Sequence, residues 1–439
     1  MSRTTFPNRS ITTLASMACV LGACSKPAPQ PESADGPPPS AVEPSTPTPA
    51  PTANPVSSPE AKTEAPRAAA AATDADRAWI LEQAMAVASA IPTTIHDRER
   101  AQCQEWVALA YLDAGDPIAA ARCAESIEGW RRGECEGLIG VQYALKGDRE
   151  LALKYARLAM ERAMGEQDWR RERIQIEAAK IHAILGNAIM ARDLSAGASQ
   201  AEIGKVDGAV IPVLTPEQFE AQAKVLDEVI KGGTFDGMRN ALDAYLPLLQ
   251  RMTANREQAL AAAATIDAAL PAMPMDLQII YGTRLASALH ALGEKDRAKE
   301  RLDLAAKQVA ETVFLPEDLT PMQVEVAKAC AGLGDVDGAR AALDAALASY
   351  ESRKKEIVDV FRARSPRALA EGFMAIGDQA KAETCWLEAL AAGTINPNSR
   401  PRAEDLSATL VAMARSGAAV TPALRERIAM CRKSLGEPW

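Results

Sequence analysis

Aromatic residues make up only 4% of this 439-residue chain, and it holds three histidines. With so few large rings, the core must come from Ala, Leu, Ile and Val. Alanine is the best helix former, so this composition points to closely packed helices and away from sheets. Clustered positive charge is also missing: the net charge is −9 and the pI is near 5.2. Phosphate backbones are held by Lys/Arg stripes, so nucleic acid is not an expected partner. No CxxC occurs and no histidine stands at ligand spacing, which argues against a structural zinc site, so no metal is expected. Glycine loops of the phosphate- or dinucleotide-binding kind are absent, and no cofactor is expected. His96, His182 and His290 are far apart in sequence and lack the partner a catalytic dyad needs, so each reads as a packing or groove-edge residue and the chain as a non-enzyme.

What is present begins with an address. Arg3 and Arg9 give a short positive start, Ser10 to Val20 are apolar and small, and Leu21-Gly22-Ala23-Cys24 follows. A charged start, a short apolar run and small residues before a cut mark a secretory signal. The run is far shorter than the roughly 20 residues needed to span a bilayer. Leu-Gly-Ala-Cys resembles the lipobox of bacterial lipoproteins. The resemblance implies cleavage of residues 1–23 and acylation of Cys24, which anchors the chain by about 0.8 kcal/mol per buried CH₂. Ser25 rather than Asp follows, which in that family leans towards the outer membrane, facing the periplasm. Residues 25–72 then hold 13 of the 28 prolines. Such a stretch cannot bury enough apolar surface to fold, so residues 24–73 read as the lipidated Cys and a disordered tether.

The remainder is repetitive. Gly115, Gly147, Gly186, Gly293, Gly334 and Gly377 are each followed five residues later by an alanine: Ala120, Ala152, Ala191, Ala298, Ala339 and Ala382. Seven residues further on stand Ile127, Ala159, Ala198, Ala305, Ala346 and Ala389. Seven residues before each glycine is Ala108, Gly140, Ala179, Ala286, Ala327 or Ala370. Apolar residues at three- and four-residue spacing on both sides make two amphipathic helices, and the glycine ends the first of them. Asp116, Asp148, Asp335 and Asp378 suit the start of the second. Each unit is a helix-turn-helix hairpin.

These spacings resemble the tetratricopeptide repeat, with Tyr111, Tyr143 and Phe373 at its aromatic place, although its usual early Trp and terminal Pro are absent and the repeat lengths drift. The expected fold is therefore all-α: an α-solenoid of stacked, tetratricopeptide-like hairpins after a disordered N-terminal tether. A capping helix is expected over 74–91, N-terminal repeats over 74–198, and C-terminal repeats over 216–439. A seventh unit is expected at Ala254, with Ala259 and Ile266, whose first helix Pro247 should kink or shorten. An eighth is expected near Ala418, with Ala423 and Met430. Residues 199–215, punctuated by Gly204, Gly208 and Pro212, read as a loop, either a hinge or an insertion, before a helix over about 216–231.

Cys103, Cys123 and Cys135 fall in adjacent repeats; a disulfide among them or small buried thiols both fit. Gly197-Ala-Ser199 faintly resembles a nucleophile elbow but lacks a strand and a triad partner. Asp335-Val-Asp337-Gly338 echoes a calcium loop, yet is explained as a repeat turn. Arg98, Arg100, Arg131, Arg132, Arg170, Arg171 and Arg173 sit near the starts of first helices, where the dipole does not favour them, and should pair with neighbouring acids or line a rim.

In tetratricopeptide proteins the first helices line a concave groove that takes peptides. Transferred place by place, the resemblance implies a groove of Glu105, Leu109, Leu112 and Asp113, then Arg173, Ile176, Lys180 and Ile184. Further along come Ile280, Ser287, His290, Lys328, Arg364, Arg367 and Glu371. The implied function is a membrane-anchored scaffold of the cell envelope that binds a protein or peptide partner. The alternative is an envelope enzyme or glycan-handling component. A glycan-cleaving site would want paired carboxylates in a cleft, and no acidic pair in the sequence escapes a helix-surface explanation.

Overall fold

The computed structural model describes residues 73–252 and 255–439. The signal, Cys24 and the Pro-rich stretch through residue 72 lie outside the described residues, as does Ala254. Within them the chain is helical, and no strand occurs. Helix α1 (Asp74–Ala90) precedes a series of hairpins. One layer is formed by α2 (Thr93–Asp113), α4 (Trp130–Leu145), α6 (Asp168–Ile184), α8 (Gln200–Val210), α10 (Phe235–Arg251), α12 (Met275–Ala291), α14 (Pro316–Gly332), α16 (Arg364–Ala375) and α18 (Ser399–Ser416). The other is formed by α3 (Pro117–Ala124), α5 (Arg149–Met164), α7 (Ala188–Ser195), α9 (Phe219–Lys231), α11 (Arg256–Ala269), α13 (Lys295–Glu311), α15 (Val336–Arg353), α17 (Gln379–Ala392) and α19 (Pro422–Lys433). Successive helices of the first layer pack on one another throughout, whereas those of the second touch mainly the first layer. The first layer is therefore the inner, tightly curved one.

The turn chemistry accounts for the hairpins. Gly115, Gly147, Gly186, Gly293, Gly334 and Gly377 all have positive φ, from 75° to 93°. The amide after each donates to a carbonyl five residues back, as Asp116 to Tyr111 and Asp378 to Phe373, both at 2.9 Å. This Schellman closure needs a left-handed residue, which glycine adopts without strain. All six glycines are exposed at their turns, with nothing within 4 Å of where a Cβ would stand. Backbone conformation, not space, therefore selects glycine there, and these residues shape the hairpins without lining a site. Asp116, Asp148, Asp335 and Asp378 then cap the following helices by accepting from backbone amides three residues on, and Asn187 and Asn255 do the same. The turn at Gly293 departs from this pattern: Glu294 follows it, makes no side-chain cap, and accepts instead from Arg256 of α11. At Gly334 the carboxylate that echoed a calcium loop, Asp335, is a helix cap. The alanines five residues after the glycines are all buried.

Residues 199–215 are not a loop. They form α8 and a short 3-10 turn, and α8 takes an inner place between α6 and α10. Gly204 and Gly208, read as punctuation, lie one helical turn apart on the face that meets α10. A Cβ on either would stand 3.4 Å from the Cβ of Asn240 or Ala244. Small residues let these two backbones approach, so glycine here marks contact rather than a break. Gly208→Ala is expected to change stability by less than about 1 kcal/mol, because better helix propensity offsets mild crowding. Gly208→Leu should cost at least about 2 kcal/mol by overpacking, as urea denaturation of the two variants would show. Ser199, at the faint elbow, caps α8.

Two further expectations are corrected. Helix α10 runs through Pro247 to Arg251 and is not shortened. The turn of the last hairpin is set by Gly417, left-handed at φ 69°, and α19 buries Leu424, Ile428 and Cys431, while Ala423 and Met430 are exposed. Ala259 and Ile266 are buried in α11 as expected. All six cysteines of the described residues are free thiols, and Cys103, Cys123 and Cys135 are buried in helix seams.

The array closes on itself. Helix α1 packs along α18 and against α2, and α18 in turn packs on α2 as well as on α16. The first helix therefore does not cap an open end; it takes the place of a hairpin partner for α18. Ile80, Leu81, Ala84, Val87 and Ala88 form its buried stripe, all fully inaccessible, and belong to the same core as Leu410, Val411 and Met413 of α18. The reason lies in α18, which is buried all round from Leu406 to Ala414 and must be covered on every side. Outside, α19 lies between α17 and α1: the Arg425 guanidinium stacks 4.4 Å from the Trp79 ring, and Arg432 donates to Gln83.

Candidate functional site: the inner face

The implied groove residues do fall on inner helices, but nearly all of the charged ones are spent on ion pairs with other side chains of those helices. Arg131 of α4 donates to Glu105 of α2, and Arg173 of α6 to Glu134 of α4. Arg284 of α12 meets Asp243 of α10 at 3.1 Å. Arg364 of α16 pairs with Asp318 of α14, Arg367 of α16 lies 4.0 Å from Asp405 of α18, and Arg415 of α18 meets Asp113 of α2 at 2.8 Å. Six junctions between neighbouring inner helices thus carry an ion pair among the described residues, the closing junction included. Within helices, Lys180 pairs with Glu177 and Lys328 with Glu325. Of the arginines at the starts of first helices, Arg131 and Arg173 pair with neighbouring acids as expected; Arg132 instead meets Glu136 of its own helix at 2.9 Å, and Arg100 donates to the carbonyls of Ser89 and Ile91.

The other implied groove residues divide by burial. Ile176 is fully buried in the seam with Val206 of α8, and Leu112 and Ile184 are also buried, so these three pack between helices and offer little surface. Leu109, Ile280, Ser287, His290, Lys328 and Glu371 are half-buried. Glycine shapes this face too. A Cβ on Gly137 would stand 2.3 Å from that of Glu177, so its absence lets α6 seat its carboxylate against α4.

Burial dominates the electrostatics. Desolvation pushes Glu105 up to about 7, aided by Glu134 and opposed by Arg131. It raises Glu134 against the pull of Arg173 and raises Glu371 against Lys328 and Arg367. Asp405 is likewise pushed up to about 7 by burial, against the Arg367 guanidinium. These carboxyls hold protons more tightly in the folded chain than in the unfolded one, where the ordinary values are 4.5 and 3.8. Below those values both states are protonated and the groups do not affect stability. As pH rises from there to about 7 the unfolded chain ionises first, so stability falls, and above about 7 the whole cost is carried. The melting temperature is therefore expected to rise as pH is lowered from about 7.5 to about 5.5, and Glu105→Gln should flatten part of that slope. A melting temperature that drops over the interval would contradict the assignment.

No protein-family model matches this chain, and no curated protein does. Among the described residues, no group of His, Cys, Asp and Glu side chains could hold a metal ion, and no helix is long and apolar enough to cross a membrane. His182 is held below the usual histidine range by burial and by Arg149. Burial pushes the Cys123 thiol up to about 11, away from the reactive thiolate.

Sequence reasoning missed one feature of this region. Trp130-Arg131-Arg132 and Trp169-Arg170-Arg171 are the same tripeptide, each starting 17 residues before its glycine, Gly147 or Gly186. The signal was legible once the repeats were aligned, but the search for small residues passed over it.

Proposed function

We propose that this protein is a membrane-anchored interaction scaffold of the bacterial cell envelope, and that it binds a segment of a partner protein along the inner face of its helical array. The observation that carries the reading is the recurrence of half-buried polar and apolar side chains on five of the inner helices: Leu109, Lys180, Ser287, His290, Lys328 and Glu371. A surface mixing both charge signs with aliphatic patches suits a polypeptide better than a polyanion. The resemblance of the hairpins to tetratricopeptide repeats supports the same use, and the lipobox ending at Cys24 supports an anchored location, outer-membrane by its Ser25.

Site-specific photo-crosslinking in intact envelopes tests it. A crosslinker at Leu109 or Lys328 is expected to capture one defined protein that a crosslinker at Ile189, exposed on the outer layer, does not. Capture from Ile189 alone would move the contact to the outer face and end the inner-face reading.

A further inference from the structure

The repeated Trp-Arg-Arg tripeptide builds a surface that the inner-face reading does not use. The corresponding places in the other four glycine-anchored units are Arg98, Asp276, Glu317 and Val360, so only the two adjacent units carry it. The two indoles meet edge to face, with centroids 5.0 Å apart and planes at 75°. Three guanidinium groups stack on them: Arg131 and Arg173 at 4.7 and 5.1 Å from the Trp130 ring, and Arg170 at 5.6 Å from Trp169. Arg131 and Arg173 are already committed to Glu105 and Glu134. Among the described residues, Arg170 and Arg171 make no ion pair.

Two observations suggest that this surface is held ready for a partner. Trp169 remains 52% exposed although its ring is fixed by the other indole and by Arg170. The residue before it, Asp168, is the only non-glycine residue with positive φ among those described, at 54°. Aspartate is among the non-glycine residues that adopt the left-handed region most readily, and here it turns the chain into α6 directly before Trp169. Rigid Trp and Arg side chains are also the types that carry most binding energy in interfaces.

We infer that Trp169, Arg170 and Arg171, backed by Trp130, form a docking surface for an extended acidic peptide segment. Charge complementarity selects this partner. On a chain of net charge −9, two neighbouring guanidinium groups that make no ion pair among the described residues favour carboxylates, which arginine can grip bidentately, and Glu166 and Asp168 beside Arg170 set the other side of this surface. Two cations without a continuing stripe are too few to hold a nucleic-acid backbone. The indole faces add apolar and backbone contact with an extended chain. This inference goes beyond the inner-face proposal and stands or falls separately.

The test uses the full chain and a fluorescent peptide of about a dozen residues in which Glu alternates with Ala and Pro, followed by anisotropy. The Glu peptide is expected to bind and to weaken as salt is added, while its Gln counterpart binds at least about tenfold more weakly. Arg170→Glu with Arg171→Glu, and separately Trp169→Ala, should each weaken binding by at least about tenfold while keeping the native helical content and cooperative melting, with Trp169→Ala melting only slightly earlier for loss of its ring contact with Trp130. Equal binding of the Glu and Gln peptides would overturn the proposal, as would full binding by the double variant. Anionic vesicles or an oligonucleotide binding where the Glu peptide does not would overturn it too. Crosslinking from Leu109 should be unaffected in these variants, which separates this failure from failure of the inner-face reading.

Discussion

Leu81→Asp is expected to strip α1 from the ring. Leu81 is fully buried at the junction where α1 lies on α18 and α2, and a carboxylate placed there has no cation built to meet it. The loss combines the transfer and cavity terms of a buried leucine, about 2–5 kcal/mol, with the cost of an unpaired charge. The cheapest escape is release of α1, because the other inner junctions do not depend on it. Small-angle scattering should therefore show a larger radius of gyration with helical content nearly retained, and urea denaturation should lose cooperativity. Leu81→Met, which conserves volume, should cost less than about 1.5 kcal/mol and keep the compact radius. An aspartate variant with the parent's radius would mean that α1 stays docked on α18 and α2 despite the buried charge.

The second large effect concerns Arg173. Its guanidinium donates to Glu134, whose side chain is only 9% exposed. Arg173→Ala leaves that carboxylate buried without its strongest partner and should cost about 3 kcal/mol, somewhat less than the loss for a fully buried pair because the arginine itself is part-exposed. Removing both charges, with Glu134→Leu and Arg173→Met, should restore most of the loss or exceed the parent, since apolar packing often replaces a buried pair without penalty. The double-mutant cycle measures this directly. If the double variant is as unstable as Arg173→Ala, the cost comes from lost stacking of Arg173 on Trp130 rather than from the orphaned carboxylate.

Hairpin geometry was the most legible part of the sequence, because one residue type at one place decides it. A left-handed turn calls for glycine and the next helix for a cap, so Gly115-Asp116, Gly334-Asp335 and Gly377-Asp378 show the hairpin without reference to anything distant. At Gly293 the glycine alone carries the signal, since Glu294 spends its carboxylate on a neighbouring helix. Helix α8 was obscured because glycine has two uses. Gly204 and Gly208 give close approach inside a helix, and only the position of α10 distinguishes that from a turn. Closure was hidden for a related reason: the apolar stripe of α1 fits a cap as well as a joint, and its partner lies over 300 residues away. The small and apolar run through α18 was the available clue. As for the inner face, the repeat register placed the charged residues on the correct helices. It could not distinguish a cation waiting for a partner from one spent on the next helix, as Arg364 is on Asp318, because that depends on how successive repeats are stacked.

The joint between α1 and α18 also sets an order of events during synthesis. The first helix of the described fold is made first, and the surface that covers it is made nearly last. At roughly 5–20 residues per second, the intervening 300 or so residues leave the stripe of Ile80, Leu81 and Val87 waiting on the order of 15–60 s. Every other inner hairpin can form from neighbouring sequence, but this one must wait for the distant end. A nascent chain is therefore most adhesive at α1, and a holding chaperone would find its main target there.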